Sequence, residues 1–399
     1  MDPCGGGHGE MSERRELDRA NLTRLCAATL FHFVAMGMFM SATPLFVHDE
    51  LGGTRTIVGL ATASFFPAAV IARPFIGRGL DSIGRKPFLL GATGVMAISS
   101  LLYFPASSVW VIVVLSLIRG GAGAGFYTGA ATMATDLSPP GRRAETVTLF
   151  SLFLYVGFAT GPAFGEWLSQ NFGFGWVWGS ATLLSTFAFG LTALLPETLP
   201  ANTSEETSGA RFGLHGAAVA PGLIVMCAAT GYLAITAFSP LYAREIGLGA
   251  SGGLYATFAI TILSVRILSR KLADRHGRIA VALPGIAATS VGLALLSLIQ
   301  EPLSAYVGIA IYSAGFALLF PALLALTADR VADHERGAAL ATFTLCFDIG
   351  GGVGTYLVGL IADNYGFGAA YGFPALLCAL AATALAAQTF ARASYAKTR

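Results

Sequence analysis

The sequence predicts an all-α membrane protein of twelve transmembrane helices in two six-helix bundles, and three observations carry the prediction. Apolar residues make up 55% of the 399 residues and charged residues only 12%, against about 25% charged in soluble domains, and the mean hydropathy is +0.68. Twelve apolar runs recur, each long enough to cross a hydrocarbon layer about 30 Å thick. The second six repeat the first at a nearly constant offset. This composition excludes an ordinary soluble enzyme, and twelve spans leave no room for a separate soluble domain. A formal net charge of +2 gives no case for nucleic acid or an acidic partner. The cysteines Cys4, Cys26, Cys227, Cys346 and Cys378 are odd in number and scattered, and support neither a disulfide framework nor a metal site.

Residues 1–22 are Gly-rich and then charged, without the apolar core and cleavage site of a signal peptide, and read as a solvated cytoplasmic tail. The N-terminal bundle, 23–196, contains apolar runs at 24–46, 57–78, 87–106, 109–132, 146–168 and 176–196, separated by Gly, Pro and charge clusters. A polar cytoplasmic linker occupies 197–217. The C-terminal bundle, 218–391, contains runs at 218–241, 252–270, 279–299, 304–327, 338–361 and 369–391, and residues 392–399 form a second tail.

Orientation follows from Lys and Arg. With the amino terminus inside, the inner loops and tails hold 19 of the 24, the outer loops hold Arg55 and Arg244, and Arg73, Arg119 and Arg266 lie within spans. Both termini are then cytoplasmic, and Trp110, Trp167, Trp176 and Trp178 form an outer aromatic belt. The glycosylation-like Asn202-Thr203-Ser204 falls on the inner side and is discounted.

The internal repeat is specific. Gly59 pairs with Gly252, Phe65 with Phe258, Arg73 with Arg266, Asp81 with Asp274, Gly84 with Gly277, Arg85 with Arg278, Asp136 with Asp329 and Arg143 with Arg336, each 193 residues apart. Gly157 and Gly161 map onto Gly350 and Gly354 by the same shift, and Pro44 matches Pro240 after a three-residue loop change. Duplication therefore relates two halves of the same orientation.

The loop between the second and third spans runs from Gly77 through Asp81, Gly84 and Arg85 to Lys86. Gly84 permits a tight turn, Asp81 can accept hydrogen bonds at a helix end, and Arg85 can pair with Asp136. The Asp274, Gly277 and Arg278 segment repeats it, with Asp329 in the place of Asp136. These loops, with the repeat, resemble the signature of the major facilitator superfamily over nearly the whole chain. Gly79, Ser82 and Arg270 depart from its pattern. The resemblance implies that Asp81 and Asp274 contact the opposite half, so that this cluster, with Arg143 and Arg336, latches the outward-facing state. A purely topological role for the charges is the alternative.

The fifth span contains Gly157, Gly161, Pro162 and Gly165. Glycines four apart allow close helix approach and Pro162 permits a bend. The segment also resembles the superfamily's antiporter motif, which implies proton-driven export, although Glu166 stands where a final glycine is common. Arg119, followed by Gly120 and Gly121, resembles the fourth-span arginine linked to proton movement in that family.

Ionisable groups inside a membrane are functional candidates. Asp348 lies about 15 Å into the eleventh span at about 1.5 Å per residue, where it can carry a proton or anchor helices by hydrogen bonding. His32 can titrate or pack as a hydrogen-bonding residue. Arg73 and Arg266 are placed to snorkel toward the inner surface, and their symmetry favours a gate. No membrane acidic cluster suggests a metal, and no phosphate-cradling loop is present.

The sequence thus predicts a secondary transporter of the cell membrane working by alternating access. The expected activity is proton-coupled antiport exporting small, partly hydrophobic molecules, as in drug resistance, with Asp348 as proton site tuned by Arg119 or His32. Protons, a small-molecule substrate and the bilayer are the expected partners, with no cofactor, no metal, no enzymatic activity and a monomeric state. Uptake symport or facilitated diffusion of a solute such as a sugar is the alternative within transport; a non-transporting membrane sensor is the alternative outside it.

Overall fold

The computed structural model describes residues 6–139, 142–199, 215–269, 272–332 and 335–397. The N-terminal half comprises α1 (Gly6–Asp49), α2 (Arg55–Ala63), α3 (Phe65–Ser82), α4 (Arg85–Leu102), α5 (Val109–Asp136), α6 (Arg143–Phe172) and α7 (Phe174–Ala193). The C-terminal half comprises α8 (Gly216–Glu245), α9 (Gly252–Ser269), α10 (Leu272–His276), α11 (Arg278–Leu298), α12 (Pro302–Ala328) and α13 (Arg336–Lys397). Most of the linker and the Asn202 site lie outside the described residues.

Among the described residues ten helices are long and apolar enough to cross a bilayer. The last, 52 residues long, crosses twice, because the backbone leaves the helix at Gly366, where φ is 77° and ψ 175°. The 18-residue α4 adds the twelfth span. The second span is divided between α2 and α3. Pro67 has no N–H to give the Ala63 carbonyl, so the helix breaks at Ser64, whose hydroxyl donates back to the Leu60 carbonyl at 2.7 Å. The first helix begins at Gly6, before the apolar run, because the Glu- and Arg-rich stretch ahead of it continues a helix readily.

The halves are built alike. Helix α1 packs along α6, and α8 along the first part of α13. Among the described residues the main pairings that join the halves are α1 with α8, α2 and α3 with α13, and α6 with α9, those of α2 with α13 and α6 with α9 being equivalent under the repeat. The predicted glycine face of α6 lies against α1. A Cβ at Gly157 would sit 2.7 Å from that of Phe33, at Gly161 2.5 Å from the Val34 carbonyl oxygen, and at Gly165 2.8 Å from the Met38 Cα. Gly37 makes room for the Pro162 ring, and the Ser41 hydroxyl donates to the Pro162 carbonyl at 2.7 Å. Gly354 makes the equivalent approach to Thr230. The GxxxG spacing is used for backbone proximity, so the α6 segment has a packing function whatever else it does.

One expectation fails. Trp110, Trp167 and Trp176 are exposed as a belt requires, but Trp178 is buried, stacked on Phe39 at 5.2 Å and tilted on Tyr103 at 4.6 Å. Two residues along a helix turn a side chain through about 200°, so Trp176 and Trp178 cannot both face lipid.

Gly161→Val should destabilise by roughly 1–3 kcal/mol through overpacking, read as a lower unfolding temperature in detergent. Gly190→Ala, where an added Cβ meets nothing within 4 Å, should be neutral or raise that temperature.

Candidate functional site

The faces that α1, α3, α5, α8 and α13 turn toward one another enclose a cavity of about 320 Å³ between the halves. A second space of about 180 Å³ adjoins it and shares Tyr127, Phe158, Tyr232 and Phe347 among its lining. The walls are mostly Phe, Met, Ala and Leu. The four ionisable span residues predicted from sequence, His32, Arg73, Arg119 and Asp348, line the larger space, and Arg266 lines the smaller.

Asp348 is held by an ion pair that crosses between the halves. Arg73 Nε donates to its Oδ2 at 2.9 Å and Nη2 to Oδ1 at 3.3 Å. The 193-residue repeat maps Arg73 onto Arg266 and Tyr155 onto Asp348, and the equivalent contact forms. Arg266 Nη1 donates to the Tyr155 hydroxyl, with its guanidinium carbon 4.6 Å from the ring centroid. The expectation that these arginines snorkel is therefore corrected. Each reaches across to a partner in the opposite half.

Arg119, the eleventh residue of α5, lies deep beside the larger cavity. Its Nη2 donates to the Tyr103 hydroxyl at 2.5 Å and to Ser116 Oγ at 3.3 Å. Its guanidinium carbon lies 3.9 Å from the Phe39 ring centroid and 4.9 Å from that of Tyr103. Its Nε has no partner, and no carboxylate pairs with it among the described residues. His32 is buried and stacks on Phe126 at 3.9 Å, with neither ring nitrogen hydrogen-bonded. It packs, as one reading had it, but by ring stacking and not by hydrogen bonds. Neither Arg119 nor His32 touches Asp348.

At the end bearing Gly84, the predicted cluster assembles within each half. Gly84 has φ +113°, and an added Cβ there would strike the Glu197 carboxylate. That carboxylate accepts the backbone N–H of Arg85 at 2.9 Å and of Lys86 at 3.0 Å, together with those of Thr198 and Leu199. Partial burial raises the Glu197 carboxyl, but these four donors outweigh it and hold its pKa below the ordinary glutamate range. Arg85 Nε donates to Asp136 Oδ2 at 3.1 Å and Nη1 to the Leu80 carbonyl at 2.8 Å. In the second copy, Gly277 has φ +92° and Arg278 Nε donates to Asp329 at 3.2 Å.

Among the described residues the expected contact of Asp81 with the opposite half does not form. Its side chain is 66% exposed, and among those residues its ion-pair partner is Arg85, at 4.0 Å. Arg143 is exposed and joins no ion pair among the described residues, Lys86 contributes only its backbone N–H, and an added Cβ at Gly77 meets open space. The side chains of Asp274 and Arg336 lie outside the described residues.

The halves are tied instead at the opposite end, near Arg55. Asp363 accepts the N–H groups of Arg55 and Thr56, each at 2.7 Å, at the start of α2. Glu166 accepts the Ser251 N–H at 2.9 Å and its hydroxyl at 2.6 Å, just ahead of α9. These are carboxylates placed on helix amino termini across the interface. Arg55 pairs with Glu245 at 2.5 Å and Arg244 with Asp49 at 2.8 Å. Sequence reasoning noted Glu166 only as a departure from a motif. The signal was there: Arg55 and Arg244 are the sole Lys or Arg residues in the loops of that side, and Asp49 and Glu245 adjoin span ends.

Comparison with known proteins follows the same lines. The chain matches the Major Facilitator Superfamily over residues 25–355 and 313–398. It is 27% identical over 374 residues to an uncharacterized MFS-type transporter of Burkholderia mallei (strain SAVP1), covering 89% of this chain and 88% of that one. A similar protein from Salmonella typhimurium is 25% identical over 354 residues, covering 87% and 90%. Among solved structures, a point mutant of the nucleoside transporter NupG superposes with a TM-score of 0.78 at 16% identity, covering 92% of this chain and 99% of that one. A D-xylose-proton symporter gives 0.74 at 17%, covering 92% and 96%.

Two outcomes are expected. Because the Glu197 pKa is depressed on folding, its contribution is present above the unfolded glutamate value of about 4.3 and is lost as pH falls through the folded value. The gap in unfolding temperature between wild type and Glu197→Gln should therefore be open at neutral pH and close in acid. Removing both carboxylate caps, Glu166→Ala with Asp363→Ala, should open the Arg55 end. A cysteine placed at Thr236, a cavity-lining position, in a cysteine-free background should then react at least several-fold faster with an impermeant maleimide applied from that side.

Proposed function

Because the chain belongs to the major facilitator superfamily of multi-pass membrane transporters, we propose that it is a proton-coupled antiporter exporting small, partly hydrophobic molecules from the cell. The bundles 23–196 and 218–391 rock about the cavity as alternating-access units, a single chain suffices, and the proton gradient drives the cycle without a cofactor. The Lys and Arg bias supports a cytoplasmic Gly84 end and cytoplasmic termini. On that orientation the conformation described above, tied at the Arg55 end, faces inward.

The observation that carries the reading is the Arg73–Asp348 pair. Charged, Asp348 ties the two halves within an apolar cavity; protonated, it loses the charge that holds Arg73. A proton then has different affinities in states that make and break this tie, which is the requirement for coupling. The equivalent Arg266–Tyr155 contact uses a phenol, which has no charge to exchange over the range in which a carboxylate titrates. One of two symmetric ties is thus sensitive to protons, which supports a single coupling site at Asp348. Arg119 and His32, expected to tune it, do not touch it and are left for the substrate.

Inside-out vesicles holding a preformed acid-inside gradient should release protons when an exported compound is added, and Asp348→Asn should reduce this release at least tenfold. Undiminished release in Asp348→Asn removes that residue from coupling. Solute equilibration through purified protein without proton movement replaces export by facilitated diffusion, and proton-driven accumulation in the opposite sense replaces it by uptake. Absence of any flux favours the non-transporting sensor.

A further inference from the structure

Arg119 carries a buried positive charge that has no counter-ion among the described residues. Resting on the reading that solute is loaded in this cavity, but not on its direction or driving force, we infer that the solute is an amphiphilic organic anion. Its carboxylate seats against Arg119 and its apolar body lies on the surrounding rings.

The charge balance of the cavity points first to an anion. Among the described residues the two connected spaces are lined by Arg73, Arg119 and Arg266 and by one acid, Asp348, with no lysine and no other carboxylate. Asp348 is taken by Arg73, and Arg266 has a phenol. A cationic solute would enter a space already in positive excess, in low dielectric, where like charges repel strongly.

Arg119 itself points to where the anion sits. It is only 7% exposed, and a guanidinium cannot shed its proton to escape the desolvation. Buried charges are otherwise paired, because an unpaired one is strongly unfavourable. Tyr103 and Ser116 occupy Nη2 alone, and Nε has no acceptor. The faces of Phe39 and Tyr103 soften the charge without using any N–H donor. Nη1 is left without an acceptor among the described residues, a charged donor group of the kind that binds a carboxylate.

The walls decide the rest of the solute. A polyol would need many hydrogen-bonding side chains, and this lining is dominated by Phe, Met, Ala and Leu. An aromatic or alicyclic body fits them. His32 adds two unpartnered ring nitrogens on the same cavity, one donor and one acceptor when neutral, enough for a single polar substituent remote from the acid. Its stacking partner Phe126 lies two turns, about 10 Å, along α5 from Arg119.

The test is equilibrium binding by calorimetry to the purified full-length protein in detergent near neutral pH. The probes are three matched series, each an acid, its amide and its aminomethyl cation, on phenyl, naphthyl and pyrenyl bodies. At least one acid should bind tenfold or more tighter than its amide, with the cation weaker still. Arg119→Gln should bring that acid to the level of its amide, and Arg119→Lys should keep part of the preference. Absence of acid preference in all three series overturns the inference, and so does a preference that survives Arg119→Gln. If Arg119→Gln fails to fold, the wild-type series and Arg119→Lys still decide. No gradient is involved, so acid preference without proton-coupled export defeats the antiport proposal alone, and export of neutral or cationic compounds without acid preference defeats this inference alone.

Discussion

A hydrocarbon layer accepts a charge only where protein or water answers it, and the architecture of this chain follows from how its few span charges are answered. Arg73 and Asp348 answer each other across the two halves, Arg266 is answered by an aromatic hydroxyl, and Arg119 is answered only in part. Breaking a fully buried ion pair by removing one partner is typically worth about 3–5 kcal/mol; with the Arg73 side chain 34% exposed, the Arg73–Asp348 pair is worth less.

The duplication explains both the symmetry of the frame and the asymmetry of the chemistry. Equivalent positions still make equivalent approaches, as Gly161 and Gly354 do against α1 and α8. Other equivalent positions have diverged. Asp348 faces an arginine with a carboxylate where its counterpart Tyr155 does so with a phenol. Glu166 caps the start of α9, while its counterpart Gly359 allows the α2 backbone to approach directly. Divergence on a symmetric frame lets one half of each contact be altered while the packing geometry is retained.

The ends of the bundle divide the work. At the Gly84 end the turns are held within each half, by Glu197 on the amide groups of Arg85 and Lys86 and by Arg85 on Asp136. At the Arg55 end the halves are stapled to each other by Asp363, Glu166 and two ion pairs. Hydrogen bonds to carboxylates are strong individually, yet those near water are screened and exchange readily. A closure built of several such contacts can hold without being permanent.

The number of spans, the six-and-six duplication, the turns at Gly84 and Gly277, the Arg85–Asp136 pairing and the set of ionisable residues that line the cavity are all legible in the residues alone. They follow from hydropathy, from a fixed offset of 193 residues and from contacts local to one half. It took the assembled bundle to assign Asp348 to Arg73, to make Tyr155 its counterpart, to bury Trp178, to pair Asp81 with Arg85 of its own half, and to tie the other end with Glu166 and Asp363. Such partnerships depend on how each helix is tilted and rotated against its neighbours. Packing sets those angles, and apolar length does not encode them.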